Sequence, residues 1–130
     1  MRAVTAILLI LTALLAIHAV AAQAQGPANL GAILVCNEIV LRIRFPADEK
    51  SILERRQIVN ERIITAFRRE RVTPANIVAR QVGGEWAIYV GQTLIITVDR
   101  DHARANGTTP QGLAQVWLAR FKELMPRCGP

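Results

Sequence analysis

Apolar and basic residues alternate at the start of the ordered part of the chain. In IVLRIRF (residues 39–45) every second position is apolar, and Val40, Arg42 and Arg44 lie between them. This period of two predicts a strand with one apolar face and one partly basic face. The preceding run AILVC is a second strand if Asn37-Glu38 forms a tight turn; otherwise the two runs form one bulged strand.

A helical period begins after Pro46, which ends the strand because proline cannot donate to a ladder. From Glu49 to about Arg71 the apolar residues fall on one helical stripe. This stripe consists of Ile52, Val59, Ile63, Ala66 and Phe67. Asp48 stands where an N-cap is expected, and Pro74 stops the helix.

Three short strands and a second long helix complete the pattern. The segments NIVARQV, WAIYV and TLIITV are separated by Gly83-Gly84 and Gly91-Gln92, which are typical hairpin loops. Thr109 is the expected cap of the last helix and Pro110 its first residue. The apolar stripe of that helix is Leu113, Val116, Trp117, Phe121 and Leu124. The order β-β-α-β-β-β-α predicts an α+β fold, a two-layer sandwich in which two amphipathic helices cover an antiparallel meander.

The first residues have the composition of a secretory signal peptide. Arg2 precedes a long apolar run, which ends in small residues at Ala22-Gln23-Ala24. We therefore expect a signal peptide over residues 1–24, a single domain over residues 25–130, and a periplasmic or secreted protein. The alternative is a protein anchored by an uncleaved N-terminal segment.

The chain is basic, with 16 lysines and arginines against 10 acidic residues and a net charge of +6. Outside the cytoplasm, the natural partner of such a protein is an envelope protein or an anionic envelope surface. Nucleic acid is not expected as a partner in that compartment. The sequence does not indicate an oligomeric state.

Cys36 and Cys128 are the only cysteines. An even number in an exported protein predicts one disulfide, which would join the first strand to the last few residues. The chain-entropy model assigns roughly 4–5 kcal/mol to closing a loop of about 90 residues. The alternative is one buried thiol and one loose thiol.

A polar cluster follows the last strand in the segment TLIITVDRDHARANG (residues 93–107). Asp99, Asp101 and His102 bring together two carboxylates and an imidazole, which would suit metal binding or acid–base chemistry. Asp99 can also cap a short helix over residues 100–105 that ends at Gly107. We prefer this structural interpretation, because a metal would need further ligands. Asp99→Asn and His102→Ala should then change stability little.

No other constellation indicates catalysis, so we expect a non-enzymatic protein with no catalytic residues, no cofactor and no metal. Ser51 is the only serine and lies at a predicted helix start, and the chain has no phosphate-binding glycine loop and no CxxC motif. Trp86 and Trp117 are candidates for a small-ligand pocket between sheet and helices, although tryptophans in so small a domain are more typical of the core.

Arginines on the first long helix form the candidate surface-binding site. Arg55, Arg62 and Arg69 recur every seven residues, so successive members drift by only about 20° around the helix. Guanidinium groups suit phosphate and carboxylate better than ammonium groups do. Arg42 and Arg44, on the uncovered face of their strand, would join a second basic patch.

Two segments resemble the N-terminal extramembrane region of bacterial small-conductance mechanosensitive channel-like proteins. In YVGQTLIITVDRDHARANGTTPQGLAQVWLARFKE the matching positions are Gly91, Asp101, Ala103, Gly107, Ala114, Trp117 and Arg120. In EIVLRIRFPADEKSILERRQIVNERI they are Arg56, Glu61, Arg62 and Ile63. The resemblance covers most of residues 33 to 125. It implies a free-standing relative of the soluble extramembrane domain, without channel spans and therefore without conductance.

These observations predict an exported, non-enzymatic domain that binds an envelope component, either a protein or an anionic surface, as an accessory to a membrane system. The alternative is a periplasmic small-ligand binding module whose pocket lies near Trp86 and Trp117.

Overall fold

The computed structural model describes residues 29–129, so the predicted signal peptide lies outside the described residues. The fold is α+β, as predicted. Its strands are β1 (Ala32–Val35), β2 (Glu38–Arg42), β3 (Ile77–Val82), β4 (Glu85–Val90) and β5 (Thr93–Val98). Its helices are α1 (Ile52–Arg69), α2 (Arg100–Ala105) and α3 (Pro110–Leu124), and a 3₁₀ turn follows at Met125–Arg127.

Strands β1 and β2 form an antiparallel hairpin that is separate from the other strands. The turn lies at Cys36 and Asn37, whose φ angles are 52° and 62°, and not at Asn37-Glu38. Positive φ at both central residues gives the turn the twist that hairpins favour. The pairing passes from Ile33–Leu41 to Leu34–Ile39, so the hairpin contains a bulge. The prediction of two strands joined by a tight turn is confirmed, and the alternative of one bulged strand is wrong.

Strands β3, β4 and β5 form the predicted antiparallel meander. Gly83 and Gly84 connect the first two strands with φ of 59° and 83°, angles that only glycine adopts freely. The register shifts once between β4 and β5, after Ile88. The extra residue on β5 brings the fully buried Ile95 beside the buried Ile96.

Helix α1 begins later than the sequence pattern predicts. Asp48 and Glu49 have φ of 51° and 59° and lie in a tight turn, so Asp48 is not the N-cap. Ser51 caps the helix instead: its hydroxyl accepts from the N–H of Glu54 at 3.2 Å, and the Glu54 carboxylate accepts from the N–H of Ser51 at 2.8 Å. This reciprocal pair is a capping box, which satisfies two backbone donors at once.

The core lies between the strands and the two long helices. Helix α1 packs beside β5 and β1, and α3 packs across β2, β3 and β4. The fully buried large side chains include Ile33, Ile77, Ile88, Phe121 and Leu124. Each contributes about 1.5–3 kcal/mol relative to an exposed side chain. Among the described helices, none combines the length and apolarity needed to cross a bilayer.

The predicted disulfide joins Cys36 to Cys128, whose Cα atoms are 5.7 Å apart across a sequence separation of 92 residues. It ties the β1–β2 turn to the residues after α3. Beside it, the Glu38 carboxylate pairs with Arg120 at 3.0 Å and with Arg127 at 3.4 Å. The C-terminal segment is therefore held by both a covalent bond and an ion-pair network.

Candidate functional site

The polar cluster after β5 is organised around Asp99. Its Oδ1 accepts from the backbone N–H of His102 at 2.9 Å, which confirms the predicted N-cap of the short helix α2. The same carboxylate also contacts Nδ1 of the His102 ring, with Oδ2 at 2.7 Å. One aspartate therefore caps the helix backbone and orients a side chain on the helix's first turn.

Both nitrogens of the His102 ring have partners. Nε2 accepts from the backbone N–H of Arg44 at 2.8 Å, which leaves Nδ1 to donate to Asp99. The ring is 1% exposed and packs edge-on against Phe45 and Trp117, with centroids 5.1 and 6.0 Å away. An imidazole held in this way has no free nitrogen to accept a proton from a substrate, so the geometry favours the structural interpretation.

Arg55 lies in this network and not on the binding surface that the sequence predicts. Its side chain is 12% exposed. Nη2 donates to Asp99 Oδ2 at 2.9 Å, and Nη1 donates to the Phe45 carbonyl at 2.6 Å. The expectation that Arg55 binds a surface is therefore wrong, because its guanidinium fork is already occupied by the carboxylate and a carbonyl.

Burial raises the pKa of Asp99, but hydrogen bonds from His102 and Arg55 outweigh it and hold that pKa below its ordinary value. Asp99 is therefore an ionised acceptor, bound to two side chains and one backbone N–H. The network joins three segments that are distant in sequence: the end of β2, the start of α1 and helix α2. Its role is therefore structural, because it holds these three segments together.

The other two predicted surface arginines differ in exposure. Arg62 is half-buried, and its Nη1 lies 3.5 Å from the carbonyl of Ile95 on β5. Arg69 is exposed in the last turn of α1, next to the exposed Arg68 and two residues before the exposed Arg71. The basic surface of α1 is therefore at its C-terminal end, where the helix carbonyls also favour cations.

The two tryptophans do not line a common cleft among those described within residues 29–129. Trp86 is half-buried and packs against the core. Trp117 is 7% exposed and forms part of a cleft of about 260 Å³ between β2 and α3, which Trp86 does not line. The cleft is lined by the β2 residues Ile39–Arg42, by Arg44 and Asn106, and by Leu113, Val116 and Trp117 of α3.

Two features of this cleft could not be read fully from the sequence. Val116 belongs to the apolar stripe of α3, which predicts burial, yet it is 63% exposed and lines the cleft beside β2. Arg42 and Arg44 are exposed, and neither forms an ion pair with any residue between 29 and 129. The alternation of apolar and polar residues in β2 predicts that the side chains of Arg42 and Arg44 point outward. It does not predict that helix α3 lies beside them.

Metal ligands are not grouped in the described part of the chain: between residues 29 and 129 no three His, Cys, Asp or Glu side chains lie close enough to hold an ion.

The fold and its polar residues define a small disulfide-linked α+β domain with an arginine-rich surface. The chain belongs to the family described as Domain of unknown function (DUF8459), whose pattern it matches over residues 32–127. No curated protein and no solved structure matches the chain significantly.

Proposed function

We propose that this protein is an exported, non-enzymatic domain that binds an acidic component of the cell envelope through arginines that the fold does not use. The observation that carries the proposal is the division of the arginines into two groups. Arg55 forms an ion pair with Asp99, and Arg120 forms ion pairs with Glu38 and Glu123. Six others are exposed and form no ion pair among residues 29–129, namely Arg42, Arg44, Arg68, Arg69, Arg71 and Arg100.

Five of these six arginines lie on two surfaces, and the sixth, Arg100, is the first residue of helix α2. Arg68, Arg69 and Arg71 form the α1 end, and Arg42 and Arg44 flank the cleft beside α3. A surface with an excess of one charge attracts partners of the opposite sign. Each basic residue near an anionic surface is worth about 1 kcal/mol, so a cluster of three gives measurable but salt-sensitive binding.

Export is supported by the Cys36–Cys128 disulfide, since disulfides persist in oxidising compartments. We propose a periplasmic or secreted location, with mature protein that begins near Gln25. The intact mass of protein recovered outside the cytoplasm tests this. A mass that still includes residues 1–20 would indicate an anchored protein instead.

A non-enzymatic role is supported by His102, because both of its ring nitrogens already have hydrogen-bond partners within the protein. The alternative of a small-ligand pocket at the tryptophans is less well supported, because the cleft at Trp117 has about 260 Å³ and most ligand pockets have roughly 300–1,000 Å³. An envelope-binding role beside a membrane system also agrees with the resemblance to the extramembrane region of mechanosensitive channel-like proteins.

Binding to anionic vesicles and to acidic polymers across a salt series tests the proposal. Changing Arg68, Arg69 and Arg71 together to Gln should weaken vesicle binding and flatten its salt dependence, while the melting temperature stays nearly unchanged. Changing Arg42 and Arg44 to Gln tests the second surface in the same way. The control is Arg104→Gln, since Arg104 is 82% exposed but already lies near Asp101. Binding that is absent even at low salt would overturn the proposal.

A further inference from the structure

Strand β2 has one free edge. Among the strands of residues 29–129 it pairs only with β1, and next to that pairing the N–H of Ile43 donates to the carbonyl of Gly31 at 2.8 Å. The next N–H, of Arg44, points the other way and donates to His102. Because backbone groups alternate in direction along an antiparallel strand, Arg42 directs both its N–H and its C=O away from β1, into the cleft. Such an edge can accept another strand.

The opposite wall of the cleft is apolar. Leu113, Val116 and Trp117 occur at the i, i+3 and i+4 positions of α3 and therefore lie on one side of the helix. Trp117 is nearly buried, whereas Val116 is 63% exposed. The exposed Val116, next to the nearly buried Trp117, therefore provides an apolar surface that an apolar side chain of a partner can cover.

The free edge is bounded at both ends by side chains of the domain. At one end, Nε2 of His102 already binds the N–H of Arg44. At the other, Nε of Arg120 lies 3.4 Å from the carbonyl of Ile39. Only the stretch between these two contacts is open, so an added strand would be short and centred on Arg42.

We propose that this cleft binds an extended segment of a partner protein, which adds to β2 as a further strand. In this segment an acidic residue lies between two apolar residues. The proposal rests on the proposed function and names the class of partner. Arg42 and Arg44 supply the charge complementarity, the free backbone groups of Arg42 supply the hydrogen bonds, and α3 supplies the apolar contact.

Strand geometry fixes the order of the residues in the segment. Leu41 and Ile43 are buried and Arg42 and Arg44 are exposed, so the two arginines share the outer face of the strand. A residue paired with Arg42 places its side chain on that same outer face, where a carboxylate reaches the guanidinium groups. Its two neighbours point to the other face, toward Val116 and Trp117.

The test uses the purified protein and a labelled, end-capped seven-residue peptide whose centre is valine–glutamate–valine. Binding is followed by fluorescence polarisation, and the exchange of the Arg42 amide hydrogen is followed by NMR. Peptide binding should slow that exchange, since the amide gains a partner. A peptide with lysine in place of the glutamate, and one with a methyl group on the glutamate amide nitrogen, should each bind about tenfold more weakly or worse.

Two matched variants test the location of the peptide. Val116→Glu places a like charge in the cleft and should weaken binding by about tenfold or more. Val82→Glu makes the same change at an equally apolar position, 53% exposed at the end of β3, and should leave binding unchanged. Arg42→Gln serves as a second variant, since its side chain is exposed, and should weaken binding with the melting temperature preserved.

Three outcomes would overturn the inference. The first is equal binding of the methylated peptide, which would exclude strand addition. The second is a concentration-dependent dimer that Val116→Glu abolishes, which would mean that a second copy occupies the cleft. The third is no peptide binding. If anionic vesicles still bind and the arginine variants weaken that binding, only the peptide site falls; if nothing acidic binds at low salt, the proposed function falls with it.

Discussion

His102 and Arg44 are 58 residues apart in the sequence, and Nε2 of the imidazole accepts the backbone N–H of Arg44 at 2.8 Å. This bond fixes the end of the β2 edge against helix α2. On the other side of the ring, Asp99 holds Nδ1 at 2.7 Å. The imidazole therefore connects the N-cap of helix α2 to the strand edge that forms the cleft, through one hydrogen bond on each side of the ring.

Substituting His102 by alanine should reduce the free energy of unfolding by about 2–4 kcal/mol. The variant leaves the Arg44 N–H without its acceptor and opens a cavity between Phe45 and Trp117. Urea denaturation measures the loss, and Arg104→Ala on the same helix, with an 82% exposed side chain, is the control. A loss below about 0.5 kcal/mol would restore the expectation from the sequence, that His102→Ala changes little.

Arg55→Ala should destabilise the fold by about 1–3 kcal/mol, because it leaves the partly buried Asp99 carboxylate without its guanidinium partner. Arg69→Ala, on the exposed end of the same helix, should change stability by less than about 0.5 kcal/mol. A double-mutant cycle of Arg55→Ala with Asp99→Ala isolates the coupling between the two side chains. Additive losses would show that the ion pair contributes nothing.

Stability should decline in acid partly through Asp99. Its pKa is lower in the folded protein than the unfolded value near 3.9. The carboxylate therefore stabilises the fold above about pH 4, and this contribution is lost as the pH falls through the lower folded value. Contrary to the expectation from the sequence, Asp99→Asn should lower stability at neutral pH, because Asp99 also binds Arg55 and the His102 ring. It should also flatten the decline below about pH 4, since asparagine still caps α2 but does not ionise. A pH profile parallel to that of the unchanged protein would contradict this.

Reducing the Cys36–Cys128 bond should lower the free energy of unfolding, by at most about 4–5 kcal/mol in the chain-entropy model. The C-terminal segment should stay docked in the reduced protein, because Met125 is fully buried and Arg120 still pairs with Glu38. Denaturation with and without reductant gives the difference. Thiol labelling without reductant should find no free cysteine, and two labelled thiols would contradict the disulfide.

Local signals in the sequence predicted the elements that depend on neighbouring residues. The Asp99 cap, the short helix after it and the Gly83-Gly84 turn were predicted correctly because each depends on only a few residues. The start of α1 was predicted wrongly, since Asp48 and Ser51 are both good caps three residues apart. The capping box with Glu54 gives Ser51 the advantage.

Contacts between distant residues could not be predicted in the same way. Arg55 has the spacing of a surface arginine, and only the fold brings it to Asp99, 44 residues away. The position of His102 next to Arg44 has the same origin. The cleft depends on how α3 crosses the edge of β2, so the outward direction of Arg42 was predictable, whereas the exposure of Val116 was not.

The disulfide also determines how the domain would respond to a pulling force on its two ends. A load applied through residue 29 and residue 129 that reaches Cys36 passes through the disulfide to Cys128, so the chain between the two cysteines cannot be extended while the bond is intact. The 92 residues of sequence separation would release on the order of 300 Å of extended chain, which becomes accessible to force only after reduction. In single-molecule stretching, oxidised protein should therefore lengthen little, and reduced protein should unravel through its strands and helices.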